Sequence, residues 1–251
     1  MKPINQVLVT GGAGFIGSNF IHMLCELREG WRIVNFDALT YAGNLENLRE
    51  VEDRDDYHFV RGDVSSEADV SRALEACGEG SLYVVHMAAE SHVDRSILSG
   101  MPFVQANVVG TQVLLDACRA RGVERFVHVS TDEVYGEAAG GDGAEPSAER
   151  DALMPKSPYA ASKAGMHGMH YKLQSELGPR GVRLHVVCPG SIATPLKLDN
   201  IAQAATLAGE DPEAAREQAR QSLGDPMGIA KVLAFLSSED GSYINGTVFT
   251  R

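Results

Sequence analysis

No apolar run in this 251-residue sequence approaches the roughly 20 residues that a membrane-spanning helix needs. Its first residues, Met1, Lys2, Pro3 and Ile4, lead into a strand-like segment without a secretory-signal pattern. No membrane partner and a cytoplasmic location are therefore expected. Cysteine is sparse: Cys25, Cys77, Cys118 and Cys188 are scattered through apolar segments and form no C-x-x-C pair. That excludes a disulfide framework, and all four read as reduced core residues. Positive charge is scarce as well, with 22 Lys and Arg against 34 Asp and Glu and a formal net charge of −12, so a nucleic-acid or anionic-membrane surface is excluded by repulsion. Of the eight histidines, His86, His128 and His185 lie within apolar strands, and His167 and His170 stand three apart with no third ligand in register. No metal site is expected. No internal repeat is visible.

What is present is a regular alternation. Strand-like runs at Gln6 to Thr10, Arg32 to Asp37, Tyr57 to Arg61, Leu82 to Ala88, Arg125 to Ser130 and Val182 to Cys188 are separated by amphipathic helical stretches. Hydrophobic content of 44% suffices for a large core. The pattern predicts an α/β fold: a single-domain Rossmann fold over residues 1–251, with a doubly wound, mostly parallel sheet and helices on both faces. Residues 1–135 form the cofactor half, 136–158 an acidic Gly/Ala/Pro-rich loop, and 159–251 the catalytic helix and substrate-side half. Within the last part, Asp211, Pro212 and Glu213 open a helix that Gly224 closes.

Directly after the first strand stands Thr10-Gly11-Gly12-Ala13-Gly14-Phe15-Ile16-Gly17, followed by a helical period through Leu27. Gly12, Gly14 and Gly17 satisfy G-x-G-x-x-G in the strand–turn–helix setting that lets main-chain N–H groups approach a pyrophosphate. Asp37 ends the second strand where a carboxylate meets ribose hydroxyls and repels a 2′-phosphate, so the expected cofactor is NAD rather than NADP. Asp63 suits the adenine amino group and reads equally as a strand-end turn residue. Tyr159 and Lys163 fall a turn apart on one helix face, where an ammonium would lower a phenol pKa that is ordinarily about 10. Thr131, at the end of a strand, supplies a hydroxyl for a substrate oxygen. Ser130 is the alternative hydroxyl: strand alternation points one of the two toward the site and the other away.

The runs TGGAGFIGSNF, FDALTYAGNLENL, HMAAESHVDRSI, Asn107 to Thr111, FVHVSTDEVYGE and SPYAASKA together resemble the extended short-chain dehydrogenase/reductases, and among them the dTDP-glucose 4,6-dehydratases. The resemblance covers roughly the first two-thirds of the chain. It implies that Tyr159 takes the sugar 4-hydroxyl proton, that Glu133 removes the C5 proton and that Asp132 protonates the departing C6 hydroxyl. It also implies cofactor contacts from Phe15, Ile16, Val64, Ala88 and Ala89, and it favours Thr131 over Ser130 as the hydroxyl that faces the site. Without it, Asp132 and Glu133 read as an acidic loop start or helix cap.

After Lys163 the sequence departs from that pattern. The stretch Leu184 to Pro195 instead resembles the single-domain branch of the superfamily, in which Pro189, Gly190, Ile192 and Thr194 would contact the nicotinamide end. Gly228 to Asp240 and Tyr243 to Thr250 continue this resemblance as a final helix and strand. The chain thus reads as a composite, natural or engineered, and Leu196 to Asp225 as a flap over the substrate or a simply packed helical segment. Three functions are expected: a nucleotide-sugar 4,6-dehydratase with internal hydride transfer, a dehydrogenase or ketoreductase of a small alcohol or ketone, or an NAD-binding protein without turnover. By analogy, a homodimer or homotetramer forms through Val104 to Arg121 and Tyr159 to Leu177.

Overall fold

The computed structural model describes residues 5–136, 147–244 and 248–250. Seven parallel strands form one sheet in the order β3-β2-β1-β4-β5-β6-β7. They are β1 (Gln6–Thr10), β2 (Arg32–Asp37), β3 (Tyr57–Arg61), β4 (Tyr83–His86), β5 (Arg125–Val129), β6 (Arg183–Cys188) and β7 (Val248–Thr250). The expected mostly parallel sheet is parallel at every pairing. β4 is shorter than its apolar run because Met87 and Ala88 leave the ladder to bond Thr10, in β1.

Residues along a strand face alternate sides, and the two cores divide accordingly. Val7 and Val9 of β1 join one core with Phe20, Ile21 and Leu24 of α1 (Phe15–Leu27). Leu8 faces the other core, built with Val70 and Leu74 of α2 (Glu67–Ala76). Burial of both sheet faces explains why the central strands are apolar runs rather than alternating ones.

α3 (Val93–Leu98) and a single turn, α4 (Met101–Phe103), follow β4; the chain then takes π-helical pitch over Val104–Val109 before α5 (Gly110–Arg121). Leu114, Leu115 and Cys118 of α5, with Leu173 and Leu177 of α6 (Pro158–Leu177), complete the second core. α9 (Pro226–Leu236) lies with α1 on the first. Between β6 and α9 run α7 (Pro195–Ala208) and α8 (Pro212–Ser222), each opened by a side-chain cap from Thr194 and Asp211 respectively. Residues 137–146 of the expected loop lie outside the described residues, and 147–157 carry neither helix nor strand.

This topology places β1 and β4, the point where strand order reverses, at the centre of the sheet. Ligands of such sheets bind outside the strand carboxyl ends at that point.

Candidate active site

The turn after β1 delivers main-chain donors to that crevice. Gly14 caps α1 with no side-chain hydrogen bond, and no acidic residue occupies the first turn. The helix N-terminus thus keeps its free N–H groups and positive dipole end for an anion. At Gly17 an added Cβ would collide with Gly11 O and Gly12 Cα, so this glycine serves helix–strand packing. Gly14 differs: its φ of −76° suits any residue, and an added Cβ would approach only Gly11 O, at 3.3 Å. The uncapped helix N-terminus at Gly14 is where a pyrophosphate would approach.

Asp37 lies at the same end of the sheet, buried, with Oδ2 accepting from Ala13 N at 3.0 Å and Oδ1 from Leu39 N at 2.8 Å. It ties the glycine turn to β2 and stabilises Leu39, whose φ of +54° is in the left-handed region. Each carboxylate oxygen retains a second lone pair for a ribose hydroxyl. Asp63 is exposed and accepts from Ser65 N at 2.8 Å and Ser65 Oγ at 2.9 Å, the geometry of a turn. Val64 beside it is buried, and Ala88 and Ala89 follow β4 directly.

The other wall comes from β5, β6 and α6. Ser130 turns to His167, with its Oγ 2.9 Å from Nε2. Thr131 turns the opposite way; its hydroxyl donates to Asp132 Oδ1 at 3.2 Å and accepts from Glu133 N at 3.3 Å. Asp132 N is held by Pro189 O at 3.2 Å, which joins the acid pair to the turn after β6. In that turn Gly190 is partly buried, Ile192 pairs with Gly224, and Thr194 Oγ1 caps α7.

α6 begins at Ser157, whose hydroxyl accepts from Ala160 N, with Pro158 in the first turn. Tyr159 is 7% exposed, and its ring meets the Phe103 ring edge-on at 6.3 Å. Lys163 is 3% exposed and donates to Val129 O at 3.0 Å. Burial pulls its pKa down to about 8, so it remains an ammonium at neutral pH.

Against the lowering expected from Lys163, whose ammonium is turned to Val129 O, the Tyr159 phenol is raised, by burial first and then by the charges of Glu133 and Asp132; the Thr131 hydroxyl acts in the opposite direction. Asp132 is half-buried and Glu133 is open to solvent along one side, yet desolvation raises both carboxyls. The charge of Asp132 raises Glu133 further, while Thr131 and main-chain hydrogen bonds draw Asp132 back, and Lys197 of α7 opposes the rise of both. Threonine, two carboxyls and phenol thus form one electrostatic unit.

Sequence reasoning assigned no role to Lys197, Asn107 or Ser162. The last two are buried and bonded to each other at 2.9 Å.

Residues 8–182 match the family described as GDP-mannose 4,6 dehydratase, and residues 146–250 match one described as enoyl-(acyl carrier protein) reductase. A low-salt glycan biosynthesis protein of Haloferax volcanii is 47% identical over 160 residues, covering 64% of this chain and 49% of that protein. A dTDP-glucose 4,6-dehydratase of Xanthomonas campestris pv. campestris is 49% identical over 166 residues, covering 62% and 45%. The chain spans about half the length of these relatives. Among solved structures, the dTDP-glucose 4,6-dehydratase of Streptomyces venezuelae with NAD and TYD bound superposes with a TM-score of 0.76 at 32% identity, covering 98% of this chain and 74% of that one.

Proposed function

The chain belongs to the GDP-mannose 4,6 dehydratase family, within the short-chain dehydrogenase/reductase superfamily, and from that membership we propose that it is an NAD-dependent nucleotide-sugar 4,6-dehydratase of the dTDP-glucose type. The observation that carries the reading is the acid pair. Asp132 and Glu133 both act on the Tyr159 phenol and desolvation raises both, so two carboxyls able to exchange protons stand together at one oxygen-binding point.

Bound NAD⁺ supplies the hydride acceptor and, once reduced, the donor that returns the hydride. Gly11, Gly12, Gly14 and the first turn of α1 would hold its pyrophosphate; Asp37 would take the ribose, and Pro189 to Thr194 would border the nicotinamide end. Tyr159, as the phenolate that the Lys163 ammonium one helical turn away favours, takes the proton of the sugar 4-hydroxyl and becomes the phenol. The new ketone acidifies C5, whose proton passes to Glu133. Asp132 gives its proton to the C6 hydroxyl, which leaves as water; Glu133 returns its proton to C5, and C6 is the carbon that receives the hydride taken from C4.

This needs the proton on Asp132 and the charge on Glu133. The Thr131 hydrogen bond favours the ionised form of Asp132. A substrate oxygen that recruits the Thr131 hydroxyl removes that bond and lets Asp132 hold its proton. Substrate binding thereby arms the pair.

A second reading, a dehydrogenase or ketoreductase of a small substrate, is favoured by the match of residues 146–250 to a reductase family. Incubation with dTDP-glucose and catalytic NAD⁺, following keto-sugar and NADH absorbance together, separates the two. Keto-sugar without net NADH, lost in Glu133→Gln and Tyr159→Phe, is the expected outcome. Net NADH from a small alcohol would favour the second reading, and NAD binding without any product would leave a cofactor-binding protein. By the same family reading two copies pair through α5 and α6, which the mass from light scattering tests.

A further inference from the structure

Between the cofactor turn and the catalytic helix runs a buried line of hydrogen bonds that the chemistry above does not use. It starts at Thr10, whose Oγ1 accepts from Ala88 N at 3.1 Å and Met87 N at 3.2 Å and lies 2.6 Å from His86 Nδ1. The other ring nitrogen, Nε2, is 2.9 Å from Thr111 Oγ1, which donates to Asn107 O at 2.6 Å. Asn107 Oδ1 accepts from Glu90 N at 2.9 Å; its Nδ2 donates to Glu90 O at 3.0 Å and to Ser162 Oγ at 2.9 Å. Ser162 donates to Tyr159 O at 2.7 Å. Thr10, His86, Asn107, Thr111 and Ser162 are all buried.

Counting donors fixes the protonation of the ring. A hydroxyl has one hydrogen and two lone pairs. Ala88 N–H fills one lone pair of Thr10 Oγ1, and Met87 N–H, shared between Thr10 O at 3.0 Å and Oγ1 at 3.2 Å, faces the other, so the Thr10 hydrogen goes to His86 and Nδ1 is an acceptor. Burial and the nearby Lys163 charge bring the His86 pKa down to about 3, so the ring is neutral and carries its proton on Nε2. Nε2–H donates to Thr111, whose own hydrogen continues to Asn107 O; Met166 Sδ, at 2.9 Å, is a weaker acceptor for the same hydrogen. Every member from Thr10 to Asn107 points the same way.

We propose that His86 is a positioning residue for the reaction, a one-way hydrogen-bonded strut that sets the spacing between the cofactor turn and Tyr159; this rests on the dehydratase reading of the site. At one end Thr10 holds Met87 and Ala88 against Gly11, where an added Cβ would stand 2.6 Å from Ala88 N. At the other, Asn107 grips Ser162 in the helical turn that carries Tyr159 and Lys163. None of the strut residues is a proton donor or acceptor in the reaction. A buried network with every member satisfied is stiff, and transfer between bound groups tolerates displacements well under about 1 Å.

The test uses the full chain labelled with ¹⁵N-histidine, with His86→Asn to assign the ring signals and the pair Thr111→Val and Thr111→Ser. Long-range ¹H–¹⁵N NMR is expected to show Nδ1 bare and Nε2 protonated, unchanged from about pH 8 to about pH 5. Thr111→Val interrupts the strut and is expected to lower turnover about tenfold or more while NAD affinity stays within about twofold. Thr111→Ser keeps the hydroxyl and restores turnover. A proton on Nδ1, titration near neutral pH, or full turnover in Thr111→Val would overturn the strut. Should the chain turn over no sugar nucleotide, the dehydratase reading fails, and the strut is decided by the shift of the Tyr159 ring resonances on NAD binding. That shift is expected to differ in Thr111→Val and to match the parent in Thr111→Ser; an identical shift in all three overturns it.

Discussion

Gly14 and Gly17 stand three residues apart in one turn for different physical reasons. Gly17 is crowded by Gly11 O and Gly12 Cα at under 3 Å, whereas a Cβ on Gly14 would meet only Gly11 O, at 3.3 Å. Gly17→Ala should destabilise the fold by about 1–3 kcal/mol, seen as a lowered denaturation midpoint. Gly14→Ala should leave that midpoint nearly unchanged and weaken NAD binding about tenfold or more, measured by fluorescence titration. Equal effects of the two on stability would remove the argument for a pyrophosphate at Gly14.

The acid pair sets the pH dependence at the same scale. Glu133 must be ionised to take a proton, so activity is lost as pH falls through its raised pKa. Asp132 must be protonated to give one, so activity is lost as pH rises through its own raised value. The expected kcat profile, which reports the enzyme with Thr131 recruited by substrate, is a bell whose acid limb lies above the ordinary carboxylate value of about 4. An acid limb at that ordinary value would show that burial does not control the pair.

Among the elements, α9 is fastened to the sheet by a residue that the strand pattern gives no reason to single out. Arg125, the first residue of β5, is 2% exposed; its Nη1 donates to Leu236 O and, at 2.7 Å, to Ser238 O, and its guanidinium lies 4.9 Å from the Tyr83 ring centroid. It satisfies carbonyls that the C-terminal end of α9 would otherwise bury without partners. Arg125→Met should cost about 2–3 kcal/mol in chemical denaturation, with faster hydrogen exchange in α9 as the local sign. The start of α8 was more legible: Asp211 accepts from its first turn, and a short polar side chain before Pro announces such a cap in sequence. The final helix, read as Gly228 to Asp240, instead starts at Pro226 behind the Asp225 cap and ends at Leu236. The π-helical pitch at Val104–Val109 was not legible, because the residues there are ordinary helix formers and the partners of Asn107 come from distant segments.

At the scale of the whole molecule, a set of buried histidines couples stability to pH. His167, His170 and His185 are each lowered to about 4, chiefly by burial. A base whose pKa is depressed on folding contributes fully above its unfolded value of about 6.5, and that contribution is lost as pH falls toward about 4. In this window the unfolded chain binds more protons. Stability should fall with decreasing pH by about 1.4 kcal/mol per unit for each histidine that protonates. Denaturation midpoints measured between about pH 7 and pH 5 check this, and His170→Leu should flatten the slope.

The sequence by itself determined the alternation of strands and helices, the glycine turn after β1, and the placing of Tyr159 and Lys163 one helical turn apart. These rest on local periodicity and backbone sterics, which a linear pattern records. Tertiary structure alone decided that the sheet is parallel throughout, that Ser130 turns to His167 while Thr131 turns to the acid pair, and that Lys163 bonds Val129 O. It also decided that Thr10, His86, Thr111, Asn107 and Ser162 form one line. Their hydrogen-bond partners lie up to 76 residues apart, a distance that no local pattern spans, and only the stacking of β1, β4, α5 and α6 brings them within reach.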